Sequence, residues 1–514
     1  MALLRLPTAL EMPNPISPPR PFRPTWYAAA VLVFVLVLGL VCGMGHPENA
    51  RIPYLCCLFA ICAMPIGFFD GWNGRHMLLG LFCGTYFVMF GLQVLLSILD
   101  DVVPGSQSGA LMTETESVIV VGALLVVAAY MTVVRWSSVS GARSRDWPAN
   151  YALIIGVALW LAGTYALYDW YVYIVTDTTN EAFRRGLEGK NTLALSAFVF
   201  AQMLQPVGML LMVYVWQTQR KAWMGLSVLA VVFVQVVLGF IADIKGLAML
   251  GGILVILGTV LVRGRLPMRY LLAALAYVIL VFPIFQAYRS EIHGTRGISR
   301  TEVVKNFGHI LSLTLSAEER VNTGRFRAQT FWERSSLFGS VQVVVEKAGK
   351  GVAFQKGHTL SPILTTFVPR IIWSDKQEVP TGQLANRQFH FTDSDDIFIS
   401  VSHLGELYWN FGWPGVIVGM SLIGTILGFI GARFNLADGV TITRLLVTVI
   451  TIKEMILAFE GAIAPSYVVW LRSLACVGLL HFLFARFSSA SRSVEKGPTG
   501  VPALTPIPYP NLLR

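Results

Sequence analysis

Apolar runs of the length that crosses a hydrocarbon core about 30 Å thick, roughly 17–25 residues, recur along the chain. They lie at Trp26 to Met44, Pro53 to Phe69, Met77 to Ile98, Val118 to Val134, Tyr151 to Tyr168, Thr192 to Trp216, Trp223 to Ile241, Gly246 to Val262 and Tyr270 to Tyr288. After a long polar stretch they resume at Pro414 to Gly431, Leu445 to Phe459 and Tyr467 to Phe484. The pattern predicts an all-α polytopic membrane protein with about twelve crossings. The predicted layout is a tail over residues 1–25, a first helical block over 26–288, a long polar segment over 289–413, a second helical block over 414–484 and a second tail over 485–514.

Positive charge follows the parity of these runs. Alternate loops carry Arg135, Arg143 and Arg145, then Arg220 and Lys221, then Arg263, Arg265 and Arg269, then Arg433 and Arg444, and finally Arg486, Arg492 and Lys496. The intervening loops are acidic or balanced: Asp100, Asp101, Glu114 and Glu116 stand in one, and Asp169, Asp177, Glu181 and Glu188 offset Arg184, Arg185 and Lys190 in the next. Under the positive-inside rule both termini are expected in the cytoplasm and residues 289–413 on the far side. Both tails are proline-rich and are expected to be disordered, the first of them basic, and no cleavable signal peptide is read. No internal repeat of the kind that builds many transporters is visible.

Composition agrees with this picture. Of 514 residues 55% are hydrophobic and 13% charged, about half the charged fraction of a soluble chain. The formal charge of +10 is largely topological, so nucleic acid is not an expected partner. Cys42, Cys56, Cys57, Cys62, Cys83 and Cys476 all fall in apolar runs, where no disulfide framework or zinc motif is readable. No metal or other cofactor is expected.

Candidate chemistry gathers in the long segment. Ser299 to Glu319 has the apolar spacing of an amphipathic helix, while Leu337 to Val345 and Leu360 to Ile372 are too short to cross and are expected to dip into the leaflet or to pack on the helix tops. The segment carries five of the eight histidines and a dense basic series that includes Arg327, Arg334, Arg370, Lys376 and Arg387. A guanidinium fork suits phosphate oxygens, so an anionic partner is expected; ion pairing with Glu318, Glu319 and Glu333 is the structural alternative. His403 and Glu406 stand three apart, on one face of a helix over Ser400 to Asn410. Asp393, Asp395 and Asp396 form an acidic turn able to meet sugar hydroxyls or a cation, without the spacing of a calcium loop. Lys453 and Glu454 lie inside the eleventh run, where ionisable groups are costly and face a cavity or each other; Gln202 or Gln205 are alternative partners for Lys453.

Gly357 to Gly419, about an eighth of the chain, resembles the Wzy-type oligosaccharide repeat-unit polymerases, the O-antigen and exopolysaccharide polymerases. The likeness is carried by Pro369, Arg370, Trp373 and Lys376, then by Gly405, Glu406, Tyr408, Asn410, Phe411 and Gly412, running on to Gly415 and Gly419. The family is often described with two large basic outer loops, whereas a single large one is read here. The resemblance implies a GT-C-like membrane fold in a bacterial inner membrane, acting at the periplasmic face on undecaprenyl-diphosphate-linked oligosaccharide, with a flippase and a chain-length regulator as partners. It implies that Arg370, Lys376, Arg327, Arg334, Arg387 and Lys453 hold the diphosphate and that His403 or Glu406 takes the acceptor proton. Trp373, Tyr408, Asn410 and Asp395 would hold sugar. An O-antigen-ligase-type transferase and a polysaccharide or lipid transporter are the alternatives.

Overall fold

The computed structural model describes residues 51–68, 76–92, 113–137, 149–176, 192–241, 245–263, 337–365, 380–392, 398–436 and 439–495, with a few single positions such as Trp147 and Trp373. The helices are α1 (Ile52–Phe68), α2 (Met77–Phe87), α3 (Glu114–Trp136), α4 (Ala149–Thr176), α5 (Thr192–Gln219), α6 (Ala222–Ile241) and α7 (Lys245–Arg263). They continue with α8 (Phe338–Lys347), α9 (Ser361–Thr365), α10 (Thr381–Phe389), α11 (Ser402–Phe411), α12 (Trp413–Arg433), α13 (Ile442–Thr451) and α14 (Ile463–Glu495). Six described helices are long and apolar enough to cross a membrane: Glu114–Trp136, Tyr151–Tyr168, Ala222–Gly239, Gly246–Arg263, Trp413–Arg433 and Ile463–Phe484. The chain is an all-α membrane protein.

Six is fewer than the run count predicts, and five of the other six runs have identifiable reasons. The runs at residues 26–44 and 270–288 lie largely outside the described residues, as does the amphipathic helix expected at Ser299 to Glu319. The second and third runs form shorter elements, the 17-residue α1 and the 11-residue α2, the latter continued by a π turn at Val88–Leu92. The eleventh run is not one regular helix: α13 has 10 residues, then passes into a π turn at Ile452–Ile456 and a 3-10 turn at Leu457–Glu460.

The chain forms two compact units. The first comprises Met1–Ser138, Arg327–Gly357 and Thr381–Ala437. Its spine is the pair α3 and α12, which run parallel at very close range: a Cβ added to Gly424 would lie 2.4 Å from the Val126 carbonyl oxygen, and one added to Gly428 would lie 2.9 Å from that of Tyr130. Small residues let two backbones approach where apolar lipid supplies no hydrophobic drive between helices. The start of α3 is closed by a capping box, in which Thr113 Oγ1 accepts from Glu116 N at 3.2 Å and Glu116 Oε2 accepts from Thr113 N at 2.7 Å. Buried tyrosines tie the remaining helices: Tyr86 donates to the Ile119 carbonyl at 2.8 Å, and Tyr54 donates to the Phe90 carbonyl at 2.7 Å.

A small polar cap sits on the end of this unit where α1, α3 and α12 begin. The π turn that ends α2 accepts Leu337 N on the Met89 carbonyl at 3.0 Å, which seats α8 directly on the helix tops. The Phe338 ring meets Tyr54 edge-on and lies 5.4 Å from the Arg51 guanidinium. Of the two placements expected for Leu337 to Val345, the packed one is found. At 1.5 Å rise per residue the 10-residue α8 and α11 are too short to cross, and their buried faces instead fill the cap.

The second unit comprises Val139–Phe326, His358–Pro380 and Asp438–Arg514. The pair α4 and α5 is again packed through glycine, with a Cβ on Gly208 only 2.5 Å from the Gly156 carbonyl oxygen. Two buried polar layers join its helices. Gln205 donates to Thr164 Oγ1 at 3.0 Å and accepts from Gln235 at 3.1 Å; Gln217 donates to Thr259 at 2.8 Å and accepts from Arg263 Nε at 2.7 Å. Antiparallel to α13 runs α14: Trp470 Nε1 donates to Thr451 Oγ1 at 3.2 Å near one end, and Thr443 and His481 meet at 2.9 Å near the other.

Candidate functional site

Two groups of predicted residues fall among the described ones, one in each unit. The first is α11. The segment enters the helix through Ser402, whose φ of +61° is unusual for a residue with a side chain, and whose Oγ accepts Gly405 N at 3.2 Å. His403 and Glu406 follow on neighbouring positions of one face, and neither is exposed to solvent. Burial alone lowers the His403 pKa to about 3, because an apolar surround disfavours the imidazolium. The ring is therefore neutral at pH 7.

Asn410 and Tyr408, the predicted sugar contacts on the same helix, are held by protein groups. Asn410 is fully buried; its Oδ1 accepts Gly357 N at 2.9 Å and its Nδ2 donates to the Glu406 carbonyl at 2.8 Å. The two preceding backbone groups join in, with Gln355 N on the Trp409 carbonyl at 3.1 Å and Lys356 N on the Asn410 carbonyl at 3.0 Å. Of three consecutive N–H groups, those of residues 355 and 356 thus satisfy orphan carbonyls at the end of α11, and that of Gly357 meets the Asn410 side chain. Tyr408 donates to Glu114 Oε1 at 2.7 Å, and the other carboxylate oxygen faces Lys350 Nζ at 3.4 Å. Burial first, and the adjacent carboxylate second, push the Tyr408 phenol well up from its ordinary pKa. Glu114 and Lys350 were legible only as an outer acid and an outer base 236 positions apart; nothing in the sequence pairs them.

Arg387 is exposed on α10, next to Gln388, which accepts from Gln355 at 2.8 Å. This unit presents no described basic cluster around a common pocket.

The second group lies in the other unit. Lys453 donates to Glu454 within the π turn that interrupts the eleventh run, and both side chains are largely buried, at 20% and 10% exposure. The partner of Lys453 is therefore its own neighbour, while Gln205 is engaged with Thr164 and Gln235. A single wide turn of this kind inside a helix often marks a functional position. The turn packs against α14, and so do α9 and the short 3-10 turn His358–Leu360 before it. Trp373 is exposed. Arg370, Lys376, Arg327, Arg334 and Asp395 lie outside the described residues. Among the described residues no group of three or more His, Cys, Asp or Glu side chains is placed to hold a metal ion.

No family model matches the chain, and comparison with curated proteins and with solved structures finds no similar one.

Proposed function

We propose that this protein is a bacterial inner-membrane glycosyltransferase that polymerises undecaprenyl-diphosphate-linked oligosaccharide repeat units into O-antigen or exopolysaccharide at the periplasmic face. The observation that carries this reading is the Lys453–Glu454 pair on the interrupted α13. A cation held within an apolar run, on a turn packed against α14, suits the anionic head of a lipid whose tail stays in the bilayer. The segment His358–Thr365, which leads along the chain toward Arg370 and Lys376, docks on the same α14.

In the proposed reaction the bond between the anomeric carbon and the diphosphate oxygen breaks, and the electron pair leaves with the diphosphate. Arg370, Lys376 and Lys453 stabilise that developing charge, with Arg327, Arg334 and Arg387 as further contributors. A hydroxyl oxygen of the incoming lipid-linked unit forms the new bond to the anomeric carbon and releases its proton. His403 and Glu406 are the proposed proton acceptors. A histidine kept neutral by burial is a weak base, so proton transfer would follow ionisation of the sugar, when the attacking hydroxyl has become acidic. Trp373, Tyr408, Asn410 and Asp395 are proposed to orient sugar, and a flippase and chain-length regulator would supply substrate and set product length.

Purified protein in proteoliposomes, given lipid-linked repeat units alone, is expected to make a ladder of chain lengths. Arg370→Ala is expected to abolish the ladder at unchanged membrane abundance. A single transfer to a different acceptor, with no ladder, would favour a ligase; movement of the lipid without bond formation would favour a transporter. Wild-type protein that does neither transfer nor polymerisation refutes the enzymatic reading.

A further inference from the structure

The membrane-spanning part of α12 starts at Trp413, and the residues just before it form an aromatic patch that the proposed reaction does not use. Phe411 and Phe354 are both exposed, at 43% and 37%. Phe354 packs against the residue that precedes that span: a Cβ added to Gly412 would lie 3.3 Å from its ring, and one added to Gly349 would lie 2.7 Å from it. The Phe411 ring in turn lies 3.2 Å from the corresponding position on Gly357. All three glycines have positive φ, at +78°, +88° and +63° for Gly349, Gly357 and Gly412, so a side chain at any of them would be strained as well as crowded.

The hydrogen bonds from residues 355–357 to the end of α11 fix this turn rigidly. Two large apolar rings are thereby presented on a firm backbone at the level where a helix enters lipid. Exposed Lys356 follows Gln355, and exposed Arg387 precedes Gln388, so the Gln355–Gln388 hydrogen bond carries a cation on each strand of chain beside the rings. An apolar surface backed by cations at a membrane boundary has the composition of an interfacial anchor for anionic lipid.

We propose that the Gly349–Gly357 turn and Phe411 form a bilayer-docking surface, with the Phe354 and Phe411 rings seated among the lipids around α12 and with Lys356 and Arg387 over anionic headgroups. The rings would hold the polar cap of this unit down on the membrane plane. This does not depend on the proposed enzymatic activity, with which it shares Arg387 alone.

The test uses the full chain in bilayers of phosphatidylcholine with or without phosphatidylglycerol. Nitroxide labels are placed at Phe354→Cys and Phe411→Cys, with Glu346→Cys on α8 as the reference, after the native cysteines are replaced by alanine. Relaxation by oxygen relative to a water-soluble nickel chelate is expected to be severalfold higher at positions 354 and 411 than at 346. It is expected to rise further with phosphatidylglycerol, and Lys356→Gln with Arg387→Gln should remove that rise. Two independent label sites keep the test decisive if one variant misfolds. Nickel accessibility at 354 and 411 equal to that at 346 overturns the proposal, as does shielding of both labels by added soluble glycan instead of lipid. Equal depth in the two lipid compositions overturns the anionic preference.

Discussion

Lowering the pH is expected to destabilise this protein through His403, and the size of the effect follows from its burial. The imidazole is neutral in the folded chain, with a pKa of about 3, whereas an unfolded histidine titrates near 6.5. Between these values the unfolded chain binds the extra proton and the folded chain does not. Stability contributed by this group is therefore complete above about pH 6.5 and falls as the pH drops toward 3. At about 1.4 kcal/mol per pH unit, the contribution at pH 5 is lower than at pH 7 by about 2 kcal/mol. Thermal unfolding in a mild detergent, followed from pH 7 to pH 5, reads the loss as a fall in Tm. The comparison is with His403→Gln, which cannot take up the proton. That variant is expected to start lower, since it replaces a fully packed ring, but to lose less on acidification, and the difference between the two slopes isolates the imidazole from every other titrating group. Parallel curves for the two proteins over this range would refute the burial argument.

Two further outcomes follow from packing and charge. Gly424→Ala places a methyl group against the Val126 backbone, where only helix separation makes room, and is expected to cost about 1–3 kcal/mol; an unchanged Tm would mean that α3 and α12 do not pack so closely. Lys453→Gln and Glu454→Gln each strand a largely buried charge and are each expected to destabilise by up to about 3 kcal/mol. The double variant should recover most of that loss, and strictly additive losses in a double-mutant cycle would show that the two charges are not coupled.

The class of the protein is a property of its sequence alone. Runs of apolar residues long enough to span lipid must be helical, because a backbone in hydrocarbon has to satisfy its own hydrogen bonds, and that constraint is local enough to read residue by residue. The position of Lys453 and Glu454 within an apolar run was legible for the same reason, since two charges stand out against uncharged neighbours. What α8 and α11 do could not be read this way. Their ten-residue lengths exclude crossing, but only the fold shows that Leu337 hangs from the π turn of α2 and that Asn410 spends its amide on closing α11.

Side-chain partnership was decided by tertiary structure throughout. Tyr408 and Glu114 are 294 positions apart in the chain and 2.7 Å apart in space, and no periodicity connects them. The same holds for the burial of His403 and Glu406, which spacing places on one face of a helix without saying what that face meets. The interruption of α13 was equally invisible, because a π turn leaves composition and hydropathy unchanged and differs only in which carbonyl each N–H reaches. Hydrophobicity is additive along a chain, so the sequence alone establishes that the chain carries helices fit to cross lipid. Contacts depend on which distant segments fold together, and only the three-dimensional arrangement determines those.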